Sequence, residues 1–180
     1  MTEPTERRRR WLLFAGVALV VVVADQLSKL WIDANFALAS PHAPVGAAAP
    51  TPIIDGFVRI AKSYNTGGIF GLFGGSATIL ALSSTIVIGL IFLYQAREGT
   101  RSVWPLSLAL GLLMGGAIGN FVDRIRLGAV IDFVDMGIGN LRWYTFNVAD
   151  AAISTSLLLF ILMALFGDRL ARRLDQRPAG

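Results

Sequence analysis

Four stretches of this chain, Trp11 to Trp31, Ala77 to Tyr94, Val103 to Phe121 and Val148 to Phe166, are long and apolar enough to cross a lipid bilayer, which takes about 20 mainly apolar residues. This limits the fold more than any other feature. Inside hydrocarbon a chain must satisfy its own backbone hydrogen bonds, so the four stretches are expected to be helices. Composition agrees: 54% of the residues are apolar and 16% are charged, against about 25% charged in soluble domains. With 180 residues there is room for one domain.

Basic residues give the orientation. Arg7 to Arg10, Arg97, Arg101, Arg169, Arg172, Arg173 and Arg177 fall on one side of the spans, ten against the five (Arg59, Lys62, Arg124, Arg126, Arg142) of the longer segments opposite. The positive-inside rule then puts both termini in the cytoplasm. The net charge of +4 reflects this topology, and no basic stripe interleaved with aromatics points to nucleic acid. Arg7 to Ala24 has the look of a secretory signal, but the helical pattern runs on through Trp31 with no small-x-small cleavage site, so it reads as an uncleaved first span.

Between the spans the sequence changes character. Residues 1–10 read as a polar tail, and Ala37 to Pro52 as an exposed Ala/Pro-rich linker. Asp55-Gly56 is a turn signal, Phe57 to Tyr64 is strand-like, and a glycine-rich stretch follows from Asn65 to Gly75. Val130 to Val134 and Leu141 to Thr145 flank Gly137 to Asn140 as a short hairpin. Gly111, Gly115 and Gly119 recur every four residues in the third span, a spacing that lets helices approach closely.

The residues that demand explanation are the polar ones at span ends. A carboxylate near bilayer depth costs several kcal/mol unless paired, wet or neutralised. Asp132 lies in the loop after span 3 and Asp150 in the first turn of span 4, both on the outer side. Two carboxyls within reach of each other share a proton and can do general acid–base work, for which peptide hydrolysis is the best-suited reaction. Simpler readings stand beside this one. Asn147 and Asp150 also fit a helix cap, and Asp132 a loop residue paired with Arg124 or Arg126. Arg124 has three candidate partners: a backbone carbonyl, a lipid headgroup or a carboxyl of the pair. Asn120 and Asn147 suit either capping or holding an aspartate or substrate backbone. Asp25 and Lys29, at i and i+4, are spaced for an ion pair, whereas adjacent Asp123 and Arg124 point about 100° apart. There is no cysteine, and His42 has no second ligand in view, so neither a thiolate nucleophile nor a metal site is expected.

Together these pieces resemble the lipoprotein signal peptidase (signal peptidase II) family, aspartyl proteases of the bacterial inner membrane. The match runs in order through Asp25-Gln26-Leu27-Ser28-Lys29, Asn65-Thr66-Gly67, Gly115 to Arg124, Gly128 to Phe133 and Phe146 to Asp150. The resemblance implies an α-helical membrane protein of four transmembrane helices with a small extracytoplasmic β-sheet cradle over residues 33–75. Cytoplasmic tails would cover 1–10 and 167–180. It implies Asp132 and Asp150 as the catalytic dyad. Asn65, Gly116, Asn120, Arg124 and Asn147 would bind substrate or support the dyad, and Asp25, Lys29 and Asp123 would support the structure. The implied substrate is a diacylglyceryl-modified prolipoprotein, cut just before its lipidated cysteine at the extracytoplasmic face. No metal or cofactor is implied, lipid surrounds the chain, and a monomer is expected. Glycines 67, 68 and 71 would give a close-fitting loop over the substrate. Gly68 stands where the resemblance leads one to expect alanine or another small residue, and the Ala/Pro stretch is longer than typical. A small proton-coupled transporter also suits buried aspartates, but the chain lacks internal repeats. A structural assembly factor using the glycine seam would leave Asp132, Asp150 and Asn147 without a task.

Overall fold

A computed structural model describes residues 3–39, 48–67, 77–98 and 104–175. Four long helices carry the apolar stretches: α1 (Glu3–Asn35), α2 (Ala77–Glu98), α3 (Trp104–Leu127) and α4 (Val148–Asp175). Each is long and apolar enough to cross a membrane. Large apolar side chains such as Leu19, Val20, Ile86 and Leu165 are more than 60% exposed. That pattern is ruinous in water and ordinary where lipid is the solvent.

The centre of the bundle is α3. Half of its apolar window is buried, against about a fifth for the other three helices. Its glycines explain how. A Cβ on Gly111 would stand 2.8 Å from the Phe14 carbonyl oxygen, and one on Gly115 would stand 2.6 Å from Val21 Cβ, so this stripe seats α1. Gly116 faces the other way, where a Cβ would be 2.5 Å from the Ala149 carbonyl oxygen of α4. Small residues bring three helix backbones together, and Phe14, Ala18, Ile91, Leu110 and Met114 fill the remaining core.

At one end of the bundle lies an antiparallel sheet in the order β1 (Thr51–Ile54), β2 (Val58–Asn65), β3 (Val130–Ile138), β4 (Leu141–Arg142). Gly56 (φ +73°) turns the chain from β1 into β2, as Asp55-Gly56 predicts, and Gly139 (φ +56°) turns β3 into β4. Gly128, at φ +68°, ends α3 by donating its N–H to the Arg124 carbonyl at 3.1 Å.

The differences from the sequence reading are instructive. The first segment and the hairpin, expected as separate pieces, are one sheet, because β2 pairs with β3. Thr51 to Ile54, partly assigned to the linker, forms β1, since its pairing with β2 outweighs its prolines. The hairpin is lopsided: β3 continues to Ile138 while β4 has two residues. Residues 3–10, read as a tail, are the first turns of α1, and α4 runs past Phe166 to Asp175. Nothing in those arginine-rich ends breaks a helix. His42, Gly68, Gly71 and the middle of the Ala/Pro stretch lie outside the described residues.

Candidate active site

The site forms where the start of α4 meets the sheet and the lower part of α1. Asn147 is the N-cap: its Oδ1 accepts the Asp150 N–H at 2.9 Å, while its own backbone N–H reaches back to Asp150 Oδ2 at 3.2 Å. This is a reciprocal capping box. The simpler reading of Asn147 and Asp150 is therefore realised, and the cap itself fixes where the Asp150 carboxyl sits. Its other oxygen, Oδ1, accepts from Asn120 Nδ2 at 2.7 Å.

Asp132, on β3, is almost fully buried. Its Oδ1 accepts from Asn147 Nδ2 at 2.7 Å and its Oδ2 from Asn65 Nδ2 at 3.1 Å. Asn147 thus touches both acids, one with its side chain and the other with its backbone. Burial, and next the neighbouring Asp150 carboxyl, push the Asp132 carboxyl up from the usual 3.8 to about 7, while the Asn65 and Asn147 amides pull the other way. A carboxyl poised near neutrality among fixed amide donors suits acid–base chemistry.

Beneath the acids lies a buried charge cluster. Lys29 Nζ lies 2.8 Å from Asp25 Oδ2 and 2.9 Å from Asp123 Oδ2, and donates to Asn120 Oδ1 at 3.1 Å. Since Lys29 takes the Asn120 oxygen, the Asn120 N–H₂ is left to face Asp150. Asp25 Oδ1 also accepts the Ala149 N–H at 2.9 Å, so a carboxylate from α1 helps cap α4, where the helix dipole favours it. Asp123 Oδ2 holds the Ile131 N–H at 3.1 Å and so ties α3 to the strand bearing Asp132.

All ten sequence-selected residues have definite places. Asp132, Asp150, Asn65, Asn120 and Asn147 form one hydrogen-bonded set, and Asp25, Lys29 and Asp123 lie directly below it. Arg124 binds the Asn120 carbonyl at 3.2 Å, the first of its three candidate partners, and its charge is felt at both acids. Gly116 makes room for α4 beside Ala149 and Ile153, so it serves the site through packing. Two groups escaped the sequence reading. Gln26 Nε2 donates to Asp123 at 3.0 Å and to Asp25 and the Gly119 carbonyl at 3.2 Å; an amide within a span carries a burial cost of the same kind as its charged neighbours, though a smaller one. Buried Asp135 clamps Arg59 (2.5 Å) and Arg142 (2.9 Å) across three strands, a pairing visible only once the register is known.

A bundle of four long helices with a small sheet at one end is an architecture this chain shares with bacterial membrane enzymes. Two solved structures so described, obtained by the in meso method at 2.3 and 1.9 Å, superpose with TM-scores of 0.71 and 0.70. They are 25% and 26% identical to this chain, covering 91% and 83% of it and 91% and 90% of their own lengths. The family model for signal peptidase (SPase) II matches residues 17–166, and the chain belongs to that family. The lipoprotein signal peptidase of Bacillus subtilis is 35% identical over 86% of this chain and 94% of its own. That of Desulforapulum autotrophicum is 33% identical over 83% and 90%, and that of Burkholderia pseudomallei 37% over 90% and 91%. These likenesses lend no support to a transporter.

Proposed function

We propose that the chain is an aspartic endopeptidase that removes the signal peptide from diacylglyceryl-modified prolipoproteins, cutting just before the lipidated cysteine. The observation that carries this reading is the bridging of Asp132 and Asp150 by Asn147. The pair holds one proton between its members at neutral pH. Its ionised member takes a proton from water as that water's oxygen attacks the scissile carbonyl carbon. The protonated member gives its proton to the carbonyl oxygen, producing a tetrahedral diol. Collapse of the diol breaks the C–N bond as a proton passes to the departing nitrogen, leaving a carboxyl on the signal peptide and a free amine on the cysteine. Asn65, Asn120 and Asn147 hold the acids. Arg124 supplies positive charge beside them, and Gly116 lets α4 approach closely enough to carry Asp150.

The chain would act as a monomer in the bacterial inner membrane, both termini in the cytoplasm and the sheet in the outer interface, where a lipid-bearing substrate arrives sideways. The ten-to-five split of basic residues supports that orientation. The test is cleavage of a diacylglyceryl-modified prolipoprotein by purified protein. Asp132→Asn and Asp150→Asn keep the size of the side chain and remove the acid, each giving up one accepted hydrogen bond, and each is expected to lose on the order of a thousandfold or more in turnover. Normal cleavage by both variants would end the dyad assignment. Equal turnover of a peptide with an unmodified cysteine would remove the lipid requirement.

A further inference from the structure

Strand β2 is irregular at one place. Ile60 pairs with Val134 and Ser63 with Asp132, so three steps on β2 match two on β3. This is a one-residue bulge at Ala61–Lys62, and these consecutive residues are both buried, whereas a regular strand would send them to opposite faces. Before the bulge Arg59 lies opposite Asp135. After it Ser63 lies opposite Asp132, and Asn65, on the same face, gives its amide to Asp132.

Without the extra residue, the register set by Ile60 and Val134 would continue unbroken. Lys62 would then stand opposite Asp132, Tyr64 would share that face, and Asn65 would turn to the other one. The bulge therefore decides whether Asp132 meets a neutral amide or an ammonium group.

What pins the bulge is the C-terminal end of α1 and the residues just after it. Lys62 Nζ lies 2.6 Å from Asp33 Oδ1 and donates to the Asp33 and Phe36 carbonyls at 3.1 and 3.2 Å. A buried cation at a helix C-terminus is well placed against the dipole and the unpaired carbonyls. Tyr64 donates its hydroxyl to the same Asp33 oxygen at 2.8 Å, and the Ala39 N–H holds the Lys62 carbonyl at 2.9 Å.

We propose that Asp33, Lys62 and Tyr64 form a latch whose task is to hold this bulge, keeping Asn65 on Asp132 and the Lys62 ammonium away from it. All three are positioning residues, and their role rests on the dyad reading above. The charges already bearing on Asp132 are Asp150 from α4, Lys29 from α1 and Arg124 from α3. A second lysine opposite Asp132 would draw the shared proton off the pair at lower pH.

The test begins with Asp33→Asn, which removes the carboxylate charge that Lys62 pairs with, at a side chain that is 44% exposed, and leaves the ammonium only backbone carbonyls to hold it. The expected result is a loss in kcat/KM on the order of tenfold to a hundredfold, with the alkaline limb of the pH profile moved to lower pH. Adding Lys62→Met should restore most of the loss, because no ammonium remains to compete, an outcome that a purely structural role would not give. Tyr64→Phe, a milder cut, should shift the limb in the same direction by less and remains readable even if Asp33→Asn folds poorly. Register is measured separately in the otherwise cysteine-free chain: Ser63→Cys with Ile131→Cys should cross-link only in the slipped register, and so only when Asp33→Asn is added. The cross-link does not depend on catalysis, so its absence overturns the latch while leaving the dyad to its own test. Unchanged activity and limb in Asp33→Asn, or a deeper loss on adding Lys62→Met, would overturn it as well.

Discussion

Replacing Lys29 with methionine keeps the volume and apolar stem of the side chain and removes the charge that ties α1 to α3. Lys29, Asp25 and Asp123 are each at most 2% exposed, so solvent cannot take over the lost interaction. Breaking a buried ion pair by removing one partner costs about 3–5 kcal/mol. Two carboxylates are orphaned here, which pushes the cost up. Each keeps N–H donors, Ala149 and Gln26 for Asp25, Ile131 and Gln26 for Asp123, which brings it down. The expected loss is therefore about 4 kcal/mol, read as reversible unfolding in mixed micelles of mild and denaturing detergent. Adding Asp123→Asn should recover more than half of it. The carboxylate then left, Asp25, sits at the N-terminus of α4, where negative charge is favoured. A Lys29→Met protein within about 1 kcal/mol of the parent, or no recovery on adding Asp123→Asn, would refute the reasoning that this lysine compensates both buried acids.

With the Asp132 carboxyl raised to about 7, kcat/KM should fall on the alkaline side near that pH as the pair loses its shared proton. Asn65→Ala removes a donor that favours the ionised carboxyl, so this limb should move to higher pH as activity drops; a static or downward-moving limb would count against the assignment. Because folding raises this carboxyl from 3.8, the folded state holds more protons than the unfolded one, and stability should fall as pH rises through that window. A Cβ on Gly119 would stand 2.6 Å from Asp25 Oδ2 and 3.3 Å from Ala149 Cβ. Gly119→Ala should accordingly cost about 1–3 kcal/mol by the same unfolding assay, with a loss of cleavage because the acid it displaces also caps α4.

What the sequence revealed and what it concealed divide along a physical line. Helices that must cross lipid announce themselves by length and apolarity, and the i, i+4 spacing of Asp25 and Lys29 is a local relation that survives into the structure at 2.8 Å. Asn147 and Asp150 were legible as a cap for the same reason. The polar residues could be picked out singly because each is costly where it stands, but their partners lie up to 124 residues away, as Asp25 and Ala149 do. That distance hides the central economy of the site: the groups that would destabilise a span one by one satisfy each other when α1, α3 and α4 close on the glycines. Register is the other thing a single sequence conceals. Phe57 to Tyr64 reads as a strand, yet nothing in it marks the extra residue at Lys62, because the bulge exists only relative to β3. The same eight letters in regular pairing would present Lys62 to Asp132. The protein's candidate chemistry thus depends on a contact between the end of α1 and the middle of β2, two segments that carry no reacting group themselves.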